Sequence, residues 1–349
     1  MGGTAPGRGL VRVFVTGGTG LVGRHVIAAL RARGDTVRAL ARTEVAAAAL
    51  SQLGAEPVRG DLSDAARLDE GIAGSDAVVH AAAIVLAGGR WPAWHAANVL
   101  GTERVALSAA RHRARLVHIS SVAVYGRRLA FDGGPPALDE EFDLERAAVP
   151  RDYYARSKRE AELAVWQVAR EAGLSAVALR PCVIYGEGDR HFSPRVARVL
   201  RRWRAPLIGD GANLLTVVYA GNVAAAVTAA LDRGGVNGPF NVTNDGGVTQ
   251  REFVERFAAG LGVPPRWIRI PYGLAWRTAR AWDATIGALP PSSGAPTLSS
   301  AVQFLAGENT YSSARAQRLL DWRPPVPAGD AVERTAASFR GAAPPCSRP

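Results

Sequence analysis

The stretch DYYARSKREAE, residues 152 to 162, places Tyr154 and Lys158 four residues apart. In a helix that spacing puts both side chains on one face. An ammonium near a phenol favours the phenolate and brings its pKa down from about 10 towards neutrality, so that the tyrosine can give a proton to an alcohol oxygen or take one from it. Lys158 is also the only lysine among 42 lysines and arginines. Where arginine has replaced lysine everywhere else, a compact, rotatable ammonium survives most readily at a place a planar guanidinium cannot serve. A hydroxyl to bond the same oxygen is offered by HISSVAVYG, residues 118 to 126, where an apolar run ends in Ser120 and Ser121.

These groups need a scaffold, and the chain alternates short β-rich runs with Ala/Leu-rich helical stretches. VRVFVTG is followed by a helix from about Gly20 to Ala32, TVRALAR by a helix near 45 to 53, and PVRGD, DAVVHAA, RLVHISS and SAVALRP continue the series. Alternation with unbroken apolar strands predicts an α/β, Rossmann-type doubly wound parallel sheet. In VFVTGGTGLVG, Gly17, Gly20 and Gly23 close the first strand and open a helix, which allows a tight turn and lets backbone N–H groups approach a pyrophosphate at the helix N-terminus. The second strand ends at Arg42, where a carboxylate would serve the ribose 2′-OH of NAD; an arginine would neutralise a 2′-phosphate, which favours NADP(H) over NAD(H), although Glu44 lies close by. Asp61 and Leu62 follow the third strand, where an adenine edge could be met; a capping aspartate is the alternative.

After Pro181 the sequence is richer in Pro, Gly and Trp and less regular. The expected organisation is a dinucleotide-binding domain over 10–181, rejoined by 216–243, with a smaller discontinuous substrate lobe over 182–215 and 244–341 and disordered ends at 1–9 and 342–349. The 349 residues, 48% hydrophobic and 21% charged, suit a globular protein with a sizeable core. The net charge of +11 is mixed along the chain, without a lysine-rich tract or zinc-type spacing, so it favours anionic ligands over nucleic acid. Cys182 and Cys346 lie far apart and the second sits in a Pro-rich tail, which argues against a disulfide framework; MGGTAPGRG has no apolar signal-peptide core, and the charge-free run 211 to 231 reads as a strand and a helix, not a membrane span. A cytoplasmic protein is expected, with no metal site.

TGGTGLVG, HAAA (80 to 83), NVLGT (98 to 102), SSVAVYG, YARSK and RPCVIYG together closely resemble the extended short-chain dehydrogenase/reductase family, from about Val11 to Phe339. The resemblance implies that Ser121, Tyr154 and Lys158 are catalytic. It further implies that Thr16, Gly17, Gly20, Leu21, Val22 and Gly23 of the glycine loop, Ala81, Ala82 and Ala83 with Asn98, and Pro181 and Val183 hold the cofactor together with Tyr154 and Lys158. A homodimer is expected on the same ground.

The dehydratases of this family place Asp-Glu after the catalytic serine or threonine; Val122 and Ala123 stand there. Nucleotide-sugar epimerases grip a diphosphate with an asparagine and an arginine, where this chain has Cys182 and Leu215, which forfeits charge-assisted hydrogen bonds of roughly 1.5–3 kcal/mol each. VVYAGNVAAAV, with Asn222, and the segment YSSARAQRLLDWRPP resemble the 3β-hydroxysteroid dehydrogenase-like branch. The expected activity is therefore NADP(H)-dependent hydride transfer to or from a mainly apolar ketone or secondary alcohol, as in a ketoreductase, with β-keto acids and polyketide-type ketones among the candidates. Trp203, Trp267, Trp276 and Trp282 are candidates for an apolar pocket, core packing being the other reading; Arg195, Arg198 and Arg202 form either a solvated helix face or a dock for a CoA- or carrier-linked substrate. The rivals are a nucleotide-sugar 4-epimerase with tightly bound NAD, and a noncatalytic dinucleotide sensor, which would not need the Ser, Tyr and Lys set.

Overall fold

The structure, a computed structural model, describes residues 11–85, 90–126, 138–144, 152–202, 204–243, 246–286, 297–307 and 311–340. The expected tails, Trp203 and Cys346 lie outside the described residues. The first half runs β1 (Arg12–Thr16), α1 (Leu21–Ala32), β2 (Thr36–Ala41), α2 (Glu44–Gln52), β3 (Glu56–Arg59), α3 (Ala65–Ile72), β4 (Ala77–His80), α4 (Trp91–Trp94), α5 (Gly101–Arg111), β5 (Arg115–Ile119), α6 (Tyr153–Ala172) and β6 (Ala176–Pro181). A π-helical turn, His95–Leu100, joins α4 to α5, and a 3₁₀ turn, Val122–Tyr125, follows β5. Then come β7 (Val183–Tyr185), α7 (Ser193–Arg202), β8 (Ala205–Ile208), β9 (Val217–Tyr219), α8 (Ala220–Asp232), β10 (Gly238–Val242), α9 (Gln250–Leu261), β11 (Trp267–Ile270), α10 (Tyr272–Ile286), α11 (Leu298–Ala306), α12 (Ala314–Leu319) and α13 (Ala328–Ala337).

Seven strands form one parallel sheet in the order β10-β6-β5-β4-β1-β2-β3. This is the doubly wound Rossmann arrangement, with the reversal of strand order between β1 and β4. The strands read as continuous apolar runs because both faces are covered. In β1, Val13 and Val15 pack with Val26, Ile27 and Leu30 of α1 and with α8, whereas Phe14 faces the cluster built with α3, α5 and α6. The C-terminal ends of β1, β4 and β5 consequently open on one edge, where α1, the Ala81–Ile84 segment and the start of α6 converge.

β10 joins β6 from 57 positions further along the chain, held by a buried arginine at the start of β5. Arg115 donates to the carbonyls of Ala230 (3.1 Å), Gly234 (2.7 Å) and Val236, which pins the α8–β10 connection under the sheet. Past Pro181 the chain leaves the sheet: β7 pairs with β9, and β8 with β11, both parallel. Phe253 and Phe257 of α9 and Val332 of α13 centre a separate apolar cluster there. Asn222, fully buried, donates to Val326 O at 2.8 Å and accepts from Val326 N at 3.0 Å, while Trp322 Nε1 donates to Asn222 O at 3.0 Å. An ionised aspartate could not make the first of these bonds. Asn222 thus ties the segment before α13 to the start of α8.

The three described candidates, Trp267, Trp276 and Trp282, do not share one cluster. Trp267 packs beside the α9/α13 cluster, Trp276 beside a cluster of Ile208, Ala275, Ala279 and Val302, and Trp282 is exposed. At Trp267 and Trp276, packing against separate clusters takes the place of pocket lining. On α7, Arg195 and Arg202 are exposed and Arg198 half-buried, so that face is open to solvent. No helix among the described residues is long and apolar enough to cross a membrane, and no three or more His, Cys, Asp or Glu among them cluster so as to hold a metal ion.

Candidate active site

The two adjacent serines at the end of β5 have different fates. Ser120 turns its hydroxyl inward and donates to Glu162 Oε2 at 2.5 Å. Ser121 caps the 3₁₀ turn by accepting from Ala123 N at 3.1 Å, which leaves the Ser121 hydroxyl hydrogen to donate elsewhere. Lys158, buried on α6, donates from Nζ to Ile119 O at 2.6 Å, two residues before Ser121. Burial lowers the Lys158 pKa to about 8 and the nearby Glu162 carboxylate opposes that shift, so the amine is an ammonium at neutral pH. Tyr154 lies one turn earlier on the same helix, half-buried, with its ring edge-on to the buried Trp94 at 6.5 Å. Asp152 starts this helix by accepting from Ala155 N at 3.1 Å. The strand end and the helix face therefore bring Ser121, Tyr154 and Lys158 to the same end of β5.

The glycine loop leads into α1 at the neighbouring edge. Gly17 has φ +73°, and a Cβ there would lie 2.6 Å from the backbone of Ala81 and Ala82. A Cβ on Gly23 would lie 2.1 Å from Gly17 O. Gly20 N donates to Gly17 O at 2.9 Å, closing the turn, and Gly20 itself is exposed. The N-terminus of α1 carries no side-chain cap and no acidic residue in its first turn, with Leu21 and Val22 half-buried beside it. An uncapped, exposed N-terminus beside a glycine that leaves backbone amides uncovered fits a dinucleotide pyrophosphate.

A chain of hydrogen bonds under this loop fixes the opposite wall. Thr102 Oγ1 donates to Asn98 O at 2.6 Å, so it accepts from His80 Nε2 at 2.9 Å. His80 Nδ1 then accepts from Thr16 Oγ1 at 2.6 Å, leaving Thr16 Oγ1 to accept from Ala82 N at 3.4 Å. Ala81 N donates to Thr16 O at 3.1 Å. Asn98, on the π-helical turn, accepts from Ile84 N (2.8 Å) and donates to Ile84 O (3.0 Å) and Ser157 Oγ (2.9 Å). Its side-chain amide is thus committed to protein partners: Asn98 shapes the Ala81–Ile84 segment. Pro181, buried, ends β6, and Val183, exposed, starts β7 at the same edge of the sheet.

Burial without a counter-charge holds His80 neutral, its pKa lowered to about 3, with the Lys158 ammonium adding to the effect. His118, stacked on it at 5.4 Å, is lowered well below its usual value for the same reasons. The unfolded chain takes up the His80 proton near pH 6.5 and the folded chain only near 3, so the stability contribution is complete above pH 6.5 and is lost as the pH falls through that window. Thermal unfolding should therefore shift to lower temperature as the pH drops from 7 to 4, and His80→Gln should flatten the slope. A slope unchanged by the substitution would contradict the assignment.

Arg42, just past β2, is exposed, its Nε 4.0 Å from Asp61 Oδ2. Asp61 accepts from Ser63 N (2.9 Å) and Ser63 Oγ (2.8 Å), and these bonds hold its carboxyl below the usual range. Asp61 therefore closes a local turn on Ser63 and does not cap the helix: the N-cap of α3 is Asp64, which accepts from Arg67 N at 3.1 Å. Leu62 packs towards Gly101 of α5.

The NAD dependent epimerase/dehydratase family matches residues 13–243. The chain belongs to this family. Among its relatives, a 4-hydroxy-2-methyl-3-oxo-4-farnesyl-3,4-dihydroquinoline-1-oxide ketoreductase of Stigmatella aurantiaca is 36% identical over 89% of this chain and 92% of its own. A 2-alkyl-3-oxoalkanoate reductase of Stenotrophomonas maltophilia is 33% identical over 94% of this chain and 99% of its own. The crystal structure of gox2253 superposes with a TM-score of 0.74 at 26% identity, covering 94% of this chain and 97% of that one. As a member of the epimerase/dehydratase family, in its extended short-chain dehydrogenase/reductase branch, the protein is an NAD(P)-dependent oxidoreductase acting between CH–OH and C=O.

The sequence motifs do not mark Glu162 and Arg180, which form a fully enclosed ion pair beside Ser120, with Oε1 and Nη2 2.5 Å apart. Two signals were present: Glu162 continues the four-residue spacing of Tyr154 and Lys158, and Arg180 interrupts an otherwise apolar strand.

Proposed function

We propose that the protein is an NADPH-dependent ketoreductase for a mainly apolar ketone, with Ser121, Tyr154 and Lys158 as its catalytic residues. The observation that carries this reading is the sorting of the serines: Ser120 is consumed by Glu162, while Ser121 keeps a donor hydrogen two residues past the carbonyl that holds the Lys158 ammonium. When bound, the reduced dinucleotide supplies a hydride to the carbonyl carbon. Tyr154 gives its phenolic proton to the carbonyl oxygen, Ser121 donates a hydrogen bond to the same oxygen, and the Lys158 ammonium stabilises the phenolate that remains. The product is the secondary alcohol.

Arg42, exposed at the end of β2, suits a 2′-phosphate and supports NADPH over NADH. The names of both relatives describe a 3-oxo group whose neighbouring carbon carries an apolar chain, farnesyl in one and alkyl in the other. A ketone with a long apolar substituent on the adjacent carbon is accordingly the substrate class proposed here. A nucleotide sugar is disfavoured because Cys182 and Leu215, where epimerases hold diphosphate, are buried apolar side chains in two different cores.

The test is incubation with NADPH and a panel of 2-alkyl-3-oxo acids, prenylated cyclic ketones, steroids and nucleotide sugars. Net oxidation of NADPH by one of the first two classes is expected; turnover of a nucleotide sugar without net oxidation would overturn the reading. Arg42→Ala should raise KM for NADPH about tenfold or more, the loss of one charge-assisted pair, and leave KM for NADH within about twofold. An equal effect on both would remove Arg42 from the cofactor site.

A further inference from the structure

Tyr154, Lys158 and Glu162 occupy successive turns of one face of α6. Glu162 has no exposed surface, and both of its oxygens are occupied. Oε2 accepts from Ser120 Oγ at 2.5 Å, and Arg180 Nε reaches both oxygens at 3.1 Å. Oε1 also accepts from Arg180 Nη2 at 2.5 Å and from Trp166 Nε1 at 3.2 Å. Arg180 Nη1 continues the network to Tyr125 OH at 2.7 Å, and Tyr125 OH donates to Asn241 Oδ1 at 2.7 Å. Tyr125 ends the turn that Ser121 begins. One carboxylate therefore ties the helix of Lys158 to the residue before Ser121 and, through Arg180, to the far end of the turn after it.

The Lys158 ammonium rests on a neutral acceptor, Ile119 O, and forms no direct ion pair among the described residues. The charged and titratable groups around it come from four elements. His80 on β4 and His118 on β5 are held neutral, Arg180 on β6 is bound to Glu162, and α6 itself contributes Tyr154 and Glu162. Glu162 is the only anion in this set.

We propose that Glu162 is a positioning residue of the catalytic set: its carboxylate is the counter-charge of the Lys158 ammonium and holds the strand end bearing Ser121 in register with the helix face bearing Tyr154 and Lys158. The proposal rests on the reading of those three residues as catalytic. Burial alone drives the amine towards the neutral form, and the Glu162 charge is what opposes it.

The single lysine makes the test direct. Protein labelled with 13C-lysine and carrying a lysine-free tag gives one side-chain signal, that of Lys158, whose titration reads its pKa without substrate or cofactor. The expected midpoint is about 8 in the unaltered protein. Glu162→Gln keeps the shape and removes the charge, and should lower the midpoint by about 1–3 units, with the alkaline limb of the kcat profile moving by the same amount. Glu162→Asp, which restores the charge, should bring the midpoint back. Should Glu162→Gln not fold because Arg180 is left unpaired, Glu162→Gln with Arg180→Met removes both charges, and the midpoint should still fall. An unchanged midpoint in a folded variant, with kcat reduced equally at every pH, would make Glu162 a structural ion-pair member only and overturn the proposal. That outcome would leave the catalytic reading standing; the reading fails separately if removing the Tyr154 hydroxyl spares turnover.

Discussion

Tyr154→Phe should reduce kcat by about 10²- to 10⁴-fold, the range expected for losing a positioned general acid. NADPH affinity should stay within about threefold, because the ring, its contact with Trp94 and the Lys158 anchor to Ile119 O do not involve the lost oxygen. Steady-state turnover together with NADPH fluorescence titration separates the two effects. Retained turnover would mean that another group protonates the product oxygen. A joint loss of turnover and binding would mean that the hydroxyl serves the cofactor more than the chemistry.

Gly17→Ala should remove dinucleotide binding and lower stability. Two costs combine: a positive φ of 73° and a Cβ only 2.6 Å from backbone atoms of Ala81 and Ala82. A left-handed conformation costs about 1–2 kcal/mol in a residue with a Cβ, and forced overpacking about 1–3 kcal/mol. Because the atoms in the way are backbone, the strain can be relieved only by moving the Ala81–Ile84 segment, which Thr16 and Asn98 hold in place. A fall in melting temperature of several degrees and at least a hundredfold weaker NADPH binding are expected. Wild-type binding in this variant would show that the loop does not bind the pyrophosphate.

Local signals made much of the site legible. Glycine spacing after an apolar strand, the alternation of β and α, and the i, i+4 pair of Tyr154 and Lys158 each depend on neighbours in sequence, and the structure has the corresponding turn, sheet and helix. The resemblance implies Ser121 and not Ser120; what distinguishes the two physically is a tertiary contact, Ser120 to Glu162 across 42 positions. Asn98 illustrates the opposite difficulty. The resemblance implies a place for it near the cofactor, but only the π-helical turn shows the amide spent on Ile84 and Ser157. A charge in a strand carries no sign of its partners, which for Arg115 are carbonyls of the α8–β10 connection and for Arg180 a carboxylate on α6. For Trp267 and Trp276 the structure has core packing, the alternative to pocket lining; aromatic composition by itself does not tell which cluster a ring joins.

The fate of the hydride decides whether this protein is a ketoreductase. With NADPH carrying deuterium at the transferring position of C4 and a 2-alkyl-3-oxo acid as acceptor, one deuterium is expected on the carbinol carbon of the product for each NADP+ formed. A turned-over substrate without that deuterium, or a cofactor whose oxidation state is unchanged at the end, would contradict it.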